Sequence, residues 1–280
     1  MSSEVMEWLA VRPDGFYWDG TFGRGGHSRS ILDSLSQQGR LWATDRDEAA
    51  QAEAGRINDR RFTFKRADLL AALDLLPSGM DGFLWDLGVS TPQLTTPQRG
   101  FSFQENGPLD MRMDQSEGET AGELINRLQE KELADLIYTF GEERLSRRIA
   151  RMICEARKQD SQWTTHRLAE ICTRAYPRRH HRIHPATRTF QALRIAVNDE
   201  LNQIETVLPL ALNRLNPSGR AVVISFHSLE DRIVKHTFKA FVAHGFRILT
   251  KRPLQANEDE RAVNAASRSA KLRAIERGAP

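Results

Sequence analysis

A glycine-rich turn near the start of the chain limits the folds that this sequence can adopt. The apolar run Phe16-Tyr17-Trp18 ends on Asp19, and four glycines follow within residues 20–26. Glycine is used where φ must be positive or where a ligand must approach the backbone closely. Ser28 to Leu35 then has the pattern of a helix. A strand, a tight turn and a helix in this order predict a ligand site at the N-terminus of a helix.

The pattern that begins at this turn repeats along the chain. Strands are predicted at 39–45, 62–65 and 81–86, and helices at 48–57 and 69–76 separate them. Such alternation with short connections predicts a parallel, doubly wound sheet. Ligands bind at the carboxyl ends of the strands in these sheets. The acids that fall at those ends are Asp19, Asp45, Asp68 and Asp86.

The class of ligand is narrowed by what the glycine turn lacks. The dinucleotide fingerprint is imperfect because Ser28 stands where its third glycine or alanine is expected, and no lysine follows as in a phosphate-binding loop. Asp45 lies twenty positions after Gly25, where a carboxylate accepts hydrogen bonds from ribose hydroxyls. S-adenosylmethionine has an ammonium group that pairs with a carboxylate and an adenine edge that needs an acceptor such as Asp68. The pattern of acids therefore favours S-adenosylmethionine as the ligand. A nicotinamide-dependent oxidoreductase is the alternative.

The alternation of strands and helices stops in the stretch from Gly88 to Asp114, which is rich in glycine, proline and polar residues. Irregular stretches of this length in compact proteins are usually functional. Thr120 and Glu123 form a capping pair that predicts the start of a helical region. Further helices are predicted at 142–158, at 165–176 and from Phe190 onward.

A second series of strand patterns follows the helical region. Residues 216–219, Asn-Pro-Ser-Gly, predict a turn, and residues 220–226 have the clearest strand pattern of the chain. Ser228 with Asp231 is predicted to cap the next helix. Strands are predicted at 246–250 and, at the edge of the sheet, at 269–275, with a mobile loop at 255–269.

These patterns together predict an α/β fold, a doubly wound, Rossmann-like sheet of the S-adenosylmethionine-dependent methyltransferase type. The sheet domain is expected to be discontinuous and to comprise residues 1–103 and 197–280. Residues 104–196 are expected to form an all-helical insertion domain.

Arginine is placed unevenly, although the net charge is only +3. No acid occurs between Glu170 and Asp199. Such a basic stretch predicts a nucleic-acid surface, and a solvated helix face is the alternative. His180, His181 and His184 are expected to face phosphate rather than a metal, because no cysteine or acid lies near them. The predicted RNA-binding residues are Arg178, Arg179, Arg182, Arg188 and Arg194.

Cysteine content and hydropathy indicate where in the cell the protein is expected to lie. Cys154 and Cys172 are too few for a disulfide framework or a zinc site, and both are expected to be buried, reduced thiols. No signal-like segment and no apolar run of membrane-spanning length occurs, so a cytoplasmic location without membrane contact is expected. The oligomeric state is open, and a homodimer is one option.

Motifs in order along nearly the whole chain resemble one family. They lie at residues 19–27, 86–94, 99–103, 107–114, 138–144, 184–194 and 225–232. The chain resembles the RsmH (formerly MraW) family of bacterial 16S rRNA (cytosine-N4)-methyltransferases. The resemblance implies S-adenosylmethionine-dependent methylation of a cytidine in the decoding centre, with 16S rRNA or the small ribosomal subunit gripped by the insertion. It also implies cofactor contacts at Gly25, Gly26, His27, Asp45, Leu69, Asp86 and Gln93.

Three features depart from the pattern of that family. The short His-x-x-Val-Leu segment that usually precedes the first helix is not present in this sequence. Leu69 stands where an aromatic residue is frequent, which weakens the expectation of stacking on adenine. Residues 264–269 keep only the second arginine of an Asn-Pro-Arg-x-Arg-Ser segment.

The reaction that the resemblance implies needs an acceptor beside the target amine. Cytosine N4 is a poor nucleophile because its lone pair is delocalised into the ring. Many amine methyltransferases carry an Asp/Asn-Pro-Pro-aromatic loop after the fourth strand, but no Pro-Pro occurs here. Asp86, on the base or on the cofactor, is therefore the first catalytic candidate, and Asp110 is the second. Alignment of the reactants is expected to supply most of the acceleration.

Further side chains have two interpretations that the sequence leaves open. His227, at the end of the strand 220–226, is a third catalytic candidate or an RNA contact, and the alternative is a residue that packs beside a helix cap. Phe101, Phe103 and Tyr176 are candidates to stack on unpaired bases, and a place in the core is equally open. An RNA-binding assembly factor with a vestigial cofactor fold is the remaining alternative function.

Overall fold

The computed structural model describes residues 1–177 and 183–279. Its strands are β1 (Phe16–Asp19), β2 (Arg40–Asp45), β3 (Phe62–Arg66), β4 (Met80–Asp86), β5 (Leu215–Ser225), β6 (Phe246–Ile248) and β7 (Lys271–Arg277). Its α-helices are α1 (Ser2–Leu9), α2 (Gly26–Ser34), α3 (Glu48–Ala54), α4 (Leu69–Leu75), α5 (Thr91–Thr95), α6 (Ala121–Arg127), α7 (Glu130–Gly141), α8 (Ser146–Arg157), α9 (Thr165–Ala175), α10 (Thr187–Asn198), α11 (Glu200–Asn213), α12 (Ser228–Phe241) and α13 (Glu258–Val263). Short 3-10 helices occur at Pro97–Arg99, Val242–His244 and Ala265–Ser269.

The chain divides into two compact units. The first comprises Met1–Gly88 and Leu201–Pro280, and the second comprises Val89–Glu200. The sequence placed the insertion at 104–196, so the second unit begins earlier than that boundary. The reason is that Phe101, which precedes that boundary, is buried in the helical core of the second unit, and that Val89 and Phe103 pack against the same core.

The strands of the first unit form one seven-stranded sheet within the described residues, in the order β3-β2-β1-β4-β5-β7-β6. Strands β1 to β5 run parallel to one another, and β7 is antiparallel to both β5 and β6. The predicted doubly wound α/β fold is confirmed. The chain winds outward from β1 in one direction and from β4 in the other, so the topological switch point lies between β1 and β4.

Both faces of this sheet are covered by helices. Successive strand residues point to opposite faces, and Tyr17 accordingly packs with apolar residues of α1 and α2, whereas Trp18 packs with residues of α4, α11 and α12. Trp18 also contacts Trp85 edge-on, with ring centroids 5.5 Å apart. The aromatic core beneath the switch point fixes the ends of β1 and β4 relative to each other.

The turn predicted at residues 216–219 lies within β5 instead. Met80 is paired with Leu215 and Gly82 with Arg220, so residues 216–219 stand opposite Asp81 alone. Ser218 takes a φ of 60°. The turn-forming residues are therefore accommodated as a bulge in a longer strand.

Two predictions near the C-terminus were wrong. The last strand, β7, lies inside the sheet between β5 and β6, and the three-residue β6 forms the edge. The predicted mobile loop at 255–269 contains α13 and a 3-10 helix. Asn257 accepts a hydrogen bond from the amide of Glu260 and caps α13. This helix is too short to show an apolar period, which is why the sequence favoured a loop.

The second unit is helical in its described residues, as the sequence predicts for this region. The capping box of Thr120 and Glu123 begins α6, as predicted. The helix predicted at 142–158 begins later, at Ser146, because Glu142 ends α7 with a φ of 50°. Cys154 and Cys172 are buried and free, which confirms the prediction for both thiols. Among the described helices, none is long and apolar enough to cross a bilayer.

Candidate active site

Asp19 connects β1, the glycine turn and α2. The carboxylate is 1% exposed, and it accepts hydrogen bonds from the Ser28 hydroxyl at 2.6 Å and from the Thr21 amide at 3.2 Å. Thr21 in turn accepts the amide of Asp86 on its hydroxyl oxygen at 2.6 Å. Burial raises the pKa of Asp19 to about 6, although the hydrogen bonds and the charge of His27 oppose that rise. The turn is thus tied to both strands of the switch point.

The glycines of the turn serve different purposes. Gly23 and Gly25 have φ values of 53° and 71°, a region that favours glycine. A Cβ on Gly25 would lie 2.6 Å from the Phe22 ring, so packing within the turn already requires a glycine there. Apart from its chain neighbours and the backbone of α2 itself, no atom of the described residues lies within 4 Å of the Cβ position of Gly26, the first residue of α2. Space for a ligand beside the helix N-terminus is therefore indicated at Gly26.

His27 and Asp86 lie together at the carboxyl ends of β1 and β4. Nε2 of His27 is 3.6 Å from Oδ2 of Asp86. Among the described residues, the buried atoms Nδ1 of His27 and Oδ1 of Asp86 have no hydrogen-bond partner. Burial lowers the pKa of His27, but the interaction with Asp86 and the charge of Asp19 outweigh burial and raise that pKa. Buried polar atoms without partners indicate the place of a polar ligand.

Asp45 lies at the end of β2, as the sequence predicts. Its two carboxylate oxygens accept the amides of Gly23 at 2.8 Å and Asp47 at 2.9 Å. Burial raises the pKa of Asp45, and these two hydrogen bonds oppose the rise. Each carboxylate oxygen retains capacity for a second hydrogen bond. Asp45 can therefore still accept ribose hydroxyls, and that contact stays a prediction.

Leu69 and Asp68 lie at the start of α4. Leu69 is buried, and its Cδ2 lies 2.9 Å from the position that a Cβ on Gly20 would take, so Leu69 packs on the glycine turn. Asp68 caps α4 by accepting the Ala71 amide at 2.8 Å, and its other oxygen accepts from Nε2 of Gln203 at 3.2 Å. This arrangement favours a structural role for Asp68 over the predicted contact with adenine.

His227 is itself the N-cap of α12. Nδ1 of His227 accepts the amide of Glu230 at 3.4 Å, and Oε2 of Glu230 accepts the amide of His227 at 3.3 Å. The cap predicted at Ser228 and Asp231 is therefore wrong by one residue, and Asp231 instead binds Arg273 at 2.7 Å. One ring nitrogen of His227 is committed to the cap, and its catalytic role stays a prediction.

Asp110 lies in the second unit and forms an internal ion pair. Arg112 donates to Oδ1 at 2.8 Å and to Oδ2 at 3.0 Å, and Gln115 donates to Oδ2 at 3.1 Å. Burial raises the pKa of Asp110, but the hydrogen bonds from Arg112 and Gln115 outweigh it and lower that pKa. A carboxylate with this many donors is a poor proton acceptor. The geometry favours a structural role over the predicted catalytic one.

Gln93, the predicted cofactor contact of the second unit, is buried in a capping box. Its Oε1 accepts the amide of Ser90 at 2.9 Å at the start of α5. The cap fixes the orientation of the side-chain amide. Its contact with the cofactor stays a prediction.

The predicted RNA-binding arginines fall into two groups. Arg194 donates from Nε and Nη2 to the carboxylate of Glu200, each at 2.8 Å, and Arg188 donates to the carbonyl of Glu142 at 3.3 Å. The bidentate pair favours a structural role for Arg194. Outside the described residues lie Arg178, Arg179 and Arg182, together with His180 and His181.

The aromatic residues proposed for stacking are partly internal. Phe101 is buried in the core of the second unit. The hydroxyl of Tyr176 donates to Oε2 of Glu143. Tyr138, to which the sequence assigned no role, is 61% exposed on α7. Its exposure depends on which face of α7 packs, and a single sequence gave no signal for that.

The chemistry of this sheet edge is suited to an adenosyl ligand rather than to a nucleoside triphosphate, because its ligand groups are carboxylates and an imidazole. The first unit therefore defines an S-adenosylmethionine-dependent methyltransferase, and the residues present fit that cofactor at the unpartnered Nδ1 of His27 and in the open space beside Gly26. The profile of the MraW methylase family matches residues 1–278. The chain belongs to that family.

Relatives match along nearly their whole length. The Ribosomal RNA small subunit methyltransferase H of Pelobacter propionicus is 48% identical over 303 residues, covering 99% of this chain and 97% of the relative. The protein of the same name from Thioalkalivibrio sulfidiphilus is 49% identical over 298 residues, covering 98% of this chain and 95% of the relative. An rRNA methylase structure from Streptococcus thermophilus has a TM-score of 0.44 at 10% identity, covering 99% of this chain and 93% of that one. That likeness is too distant to locate site residues.

Proposed function

We propose that this protein methylates N4 of a cytidine in the decoding centre of small-subunit rRNA. The relatives described above are named as small-subunit rRNA methyltransferases, and they cover almost the whole chain. The observation that carries the proposal is the unpartnered Oδ1 of Asp86 at the switch point. It offers an acceptor where the fold class places its ligands.

The first unit supplies the groups that would hold the cofactor. Asp45 would accept the ribose hydroxyls, and Gly26 would leave space beside the N-terminus of α2. His27, with its raised pKa, stays next to the Asp86 carboxylate and holds one of its oxygens. S-adenosylmethionine, when bound, supplies an electrophilic methyl group on its sulfonium.

Asp86 has two oxygens in different situations. Oδ2 faces His27, whereas Oδ1 is without a partner among the described residues. Oδ1 would accept a hydrogen bond from the N4 amine and would take its proton as the nitrogen bonds to the methyl carbon, while the electron pair of the methyl–sulfur bond would leave with the sulfur. Most of the acceleration would come from holding the amine in line with the methyl group.

The proposal is tested by two measurements. Calorimetry with S-adenosylmethionine and with NAD tests the ligand, and binding of NAD alone would contradict the methyltransferase assignment. Mass analysis of 16S rRNA from a deletion strain tests the substrate. We expect N4-methylcytidine to be lost and to return with the wild-type protein and with the control Asp74→Asn, an exposed residue of α4, but not with Asp86→Ala. An unchanged level in the deletion strain would refute the substrate assignment.

A further inference from the structure

A cavity of about 390 Å³ opens on the second unit. Its lining residues on α9 stand at positions 166, 169, 170, 173 and 174, and this helical repeat places them on one face of that helix. One more lining residue comes from the segment before α10. The lining residues are His166, Ala169, Glu170, Thr173, Arg174 and His184. Apart from the phosphate contact that the sequence predicts for His184, none of the roles proposed above uses this cavity.

His184 is a fixed and exposed ring in this cavity. Its centroid lies 4.5 Å from that of Phe103 at an interplanar angle of 30°, and Phe103 packs edge-on against Phe190. Nδ1 of His184 accepts the amide of Ala186 at 3.1 Å, so in the neutral ring Nε2 carries the proton. Phe103 covers one face of the imidazole. The other face is a surface on which a planar ligand can stack.

Two opposite charges line the same cavity. Arg174 and Glu170 are both exposed, and neither side chain has a hydrogen-bond or ion-pair partner within the described residues. They lie one helical turn apart on α9. A guanidinium suits a phosphate, and a carboxylate accepts hydrogen bonds from the N–H groups of a base. Together with the ring of His184 they present the three kinds of contact that a nucleotide needs.

We propose that this cavity binds one unpaired nucleotide of the RNA substrate, besides the cytidine that is methylated. The base stacks on His184, the phosphate contacts Arg174 and the base edge contacts Glu170. The volume lies in the range of small-ligand sites, about 300–1,000 Å³. Single-stranded RNA is read by stacking of splayed bases and by contacts to their edges. Guanine is the expected base, because its N1–H and N2–H groups offer two donors to one carboxylate.

The identification of the RNA as rRNA rests on the proposed function, whereas nucleotide binding can be measured without it. We would titrate the full-length protein with the four nucleoside 5′-monophosphates and with inorganic phosphate, and follow the ring signal of His184 by NMR. We expect GMP to bind most tightly. Glu170→Gln should remove the preference for GMP. Arg174→Gln should weaken the binding of all four nucleotides to the same extent.

Binding of a short single-stranded RNA, followed by fluorescence anisotropy over a salt series, gives a second measurement. His184→Ala should weaken binding about tenfold with little change in salt dependence, because stacking is lost. Arg174→Gln should reduce the slope of log affinity against log salt concentration by about 0.7, because one phosphate contact is lost. His184→Phe should retain binding, which separates lost stacking from misfolding. His236→Ala on α12 and Arg127→Gln, whose wild-type arginine is paired with Glu119, are matched controls and should bind like the wild type.

The outcomes separate this inference from the proposed function. If no nucleotide moves the His184 signal, or if phosphate alone moves it as much as GMP does, the cavity is not a nucleotide site. Unaltered RNA affinity in both His184→Ala and Arg174→Gln would overturn it as well. If these signals respond as expected while small-subunit rRNA is not methylated, the proposed function fails and the nucleotide site stands.

Discussion

Asp86 at the switch point of the first unit and Asp110 in the second unit are the same residue type in opposite surroundings. Asp110 receives donors on both oxygens from Arg112 and Gln115. Asp86 has one oxygen beside His27 and one without a partner among the described residues. Hydrogen-bond capacity that the fold leaves unused is therefore a better guide to chemistry than residue type.

The largest expected effect is that of Asp86→Asn on turnover. The amide keeps the shape of the side chain but is a weaker acceptor, so we expect kcat to fall about 100-fold or more. Affinity for S-adenosylmethionine, measured by calorimetry, should stay within about threefold. Loss of cofactor binding with little change in kcat would instead make Asp86 a cofactor ligand.

Asp19→Asn should change how stability depends on pH. The pKa of Asp19 is raised from 3.8 to about 6 in the folded protein, so the folded state binds more protons between these values and its stability falls as pH rises through them. Asparagine stays neutral. The free energy of unfolding of the wild type, relative to that of the variant, should therefore drop by about 3 kcal/mol from pH 3.5 to 6.5. A pH-independent difference in chemical denaturation would contradict this.

Asp110→Asn should act on stability rather than on chemistry. It leaves the half-buried guanidinium of Arg112 without its charged partner, and we expect the free energy of unfolding to fall by about 2 kcal/mol. The folded variant should keep the kcat of the wild type. If kcat falls as it does in Asp86→Asn, the contrast between the two aspartates is wrong.

The adjacent glycines of the turn provide the smallest and most specific test. Gly26→Ala places a methyl group in the open space that the cofactor is expected to occupy. Binding of S-adenosylmethionine should therefore weaken about tenfold, with an unchanged melting temperature. Gly25→Ala meets the Phe22 ring at a positive φ and should lower the melting temperature. Equal cofactor affinity in Gly26→Ala and the wild type would remove this residue from the site.

The first four strands could be predicted because their signals are local. Each is a short apolar run that ends on a polar residue before a helix, and the structure places β1 to β4 within a residue or two of the predictions. The position of β7 inside the sheet depends on pairing with β5 and β6, which no local pattern encodes. The same holds for residues 216–219, where a genuine turn signal is absorbed into a strand.

In the site, too, local patterns predicted the positions of some residues, whereas contacts between distant parts of the chain could not be predicted. Sequence spacing placed Asp45 and Asp86 at strand ends, where the structure has them. It did not identify His227 as a helix cap, because histidine is an uncommon cap and the choice depends on the burial of Glu230. The basic character of the stretch before Asp199 suggested free arginines, but Arg194 binds Glu200, just beyond that stretch.

The place of β7 in the sheet has a consequence for synthesis on the ribosome. The second unit is one continuous segment, Val89–Glu200, so all of it has been made while the first unit still lacks β5, β6 and β7. Strand β5 has no neighbour on its outer side until residues 271–277 have been synthesised. We expect the helical unit to be compact first and the cofactor-binding sheet to close only after residues 271–277 have been synthesised.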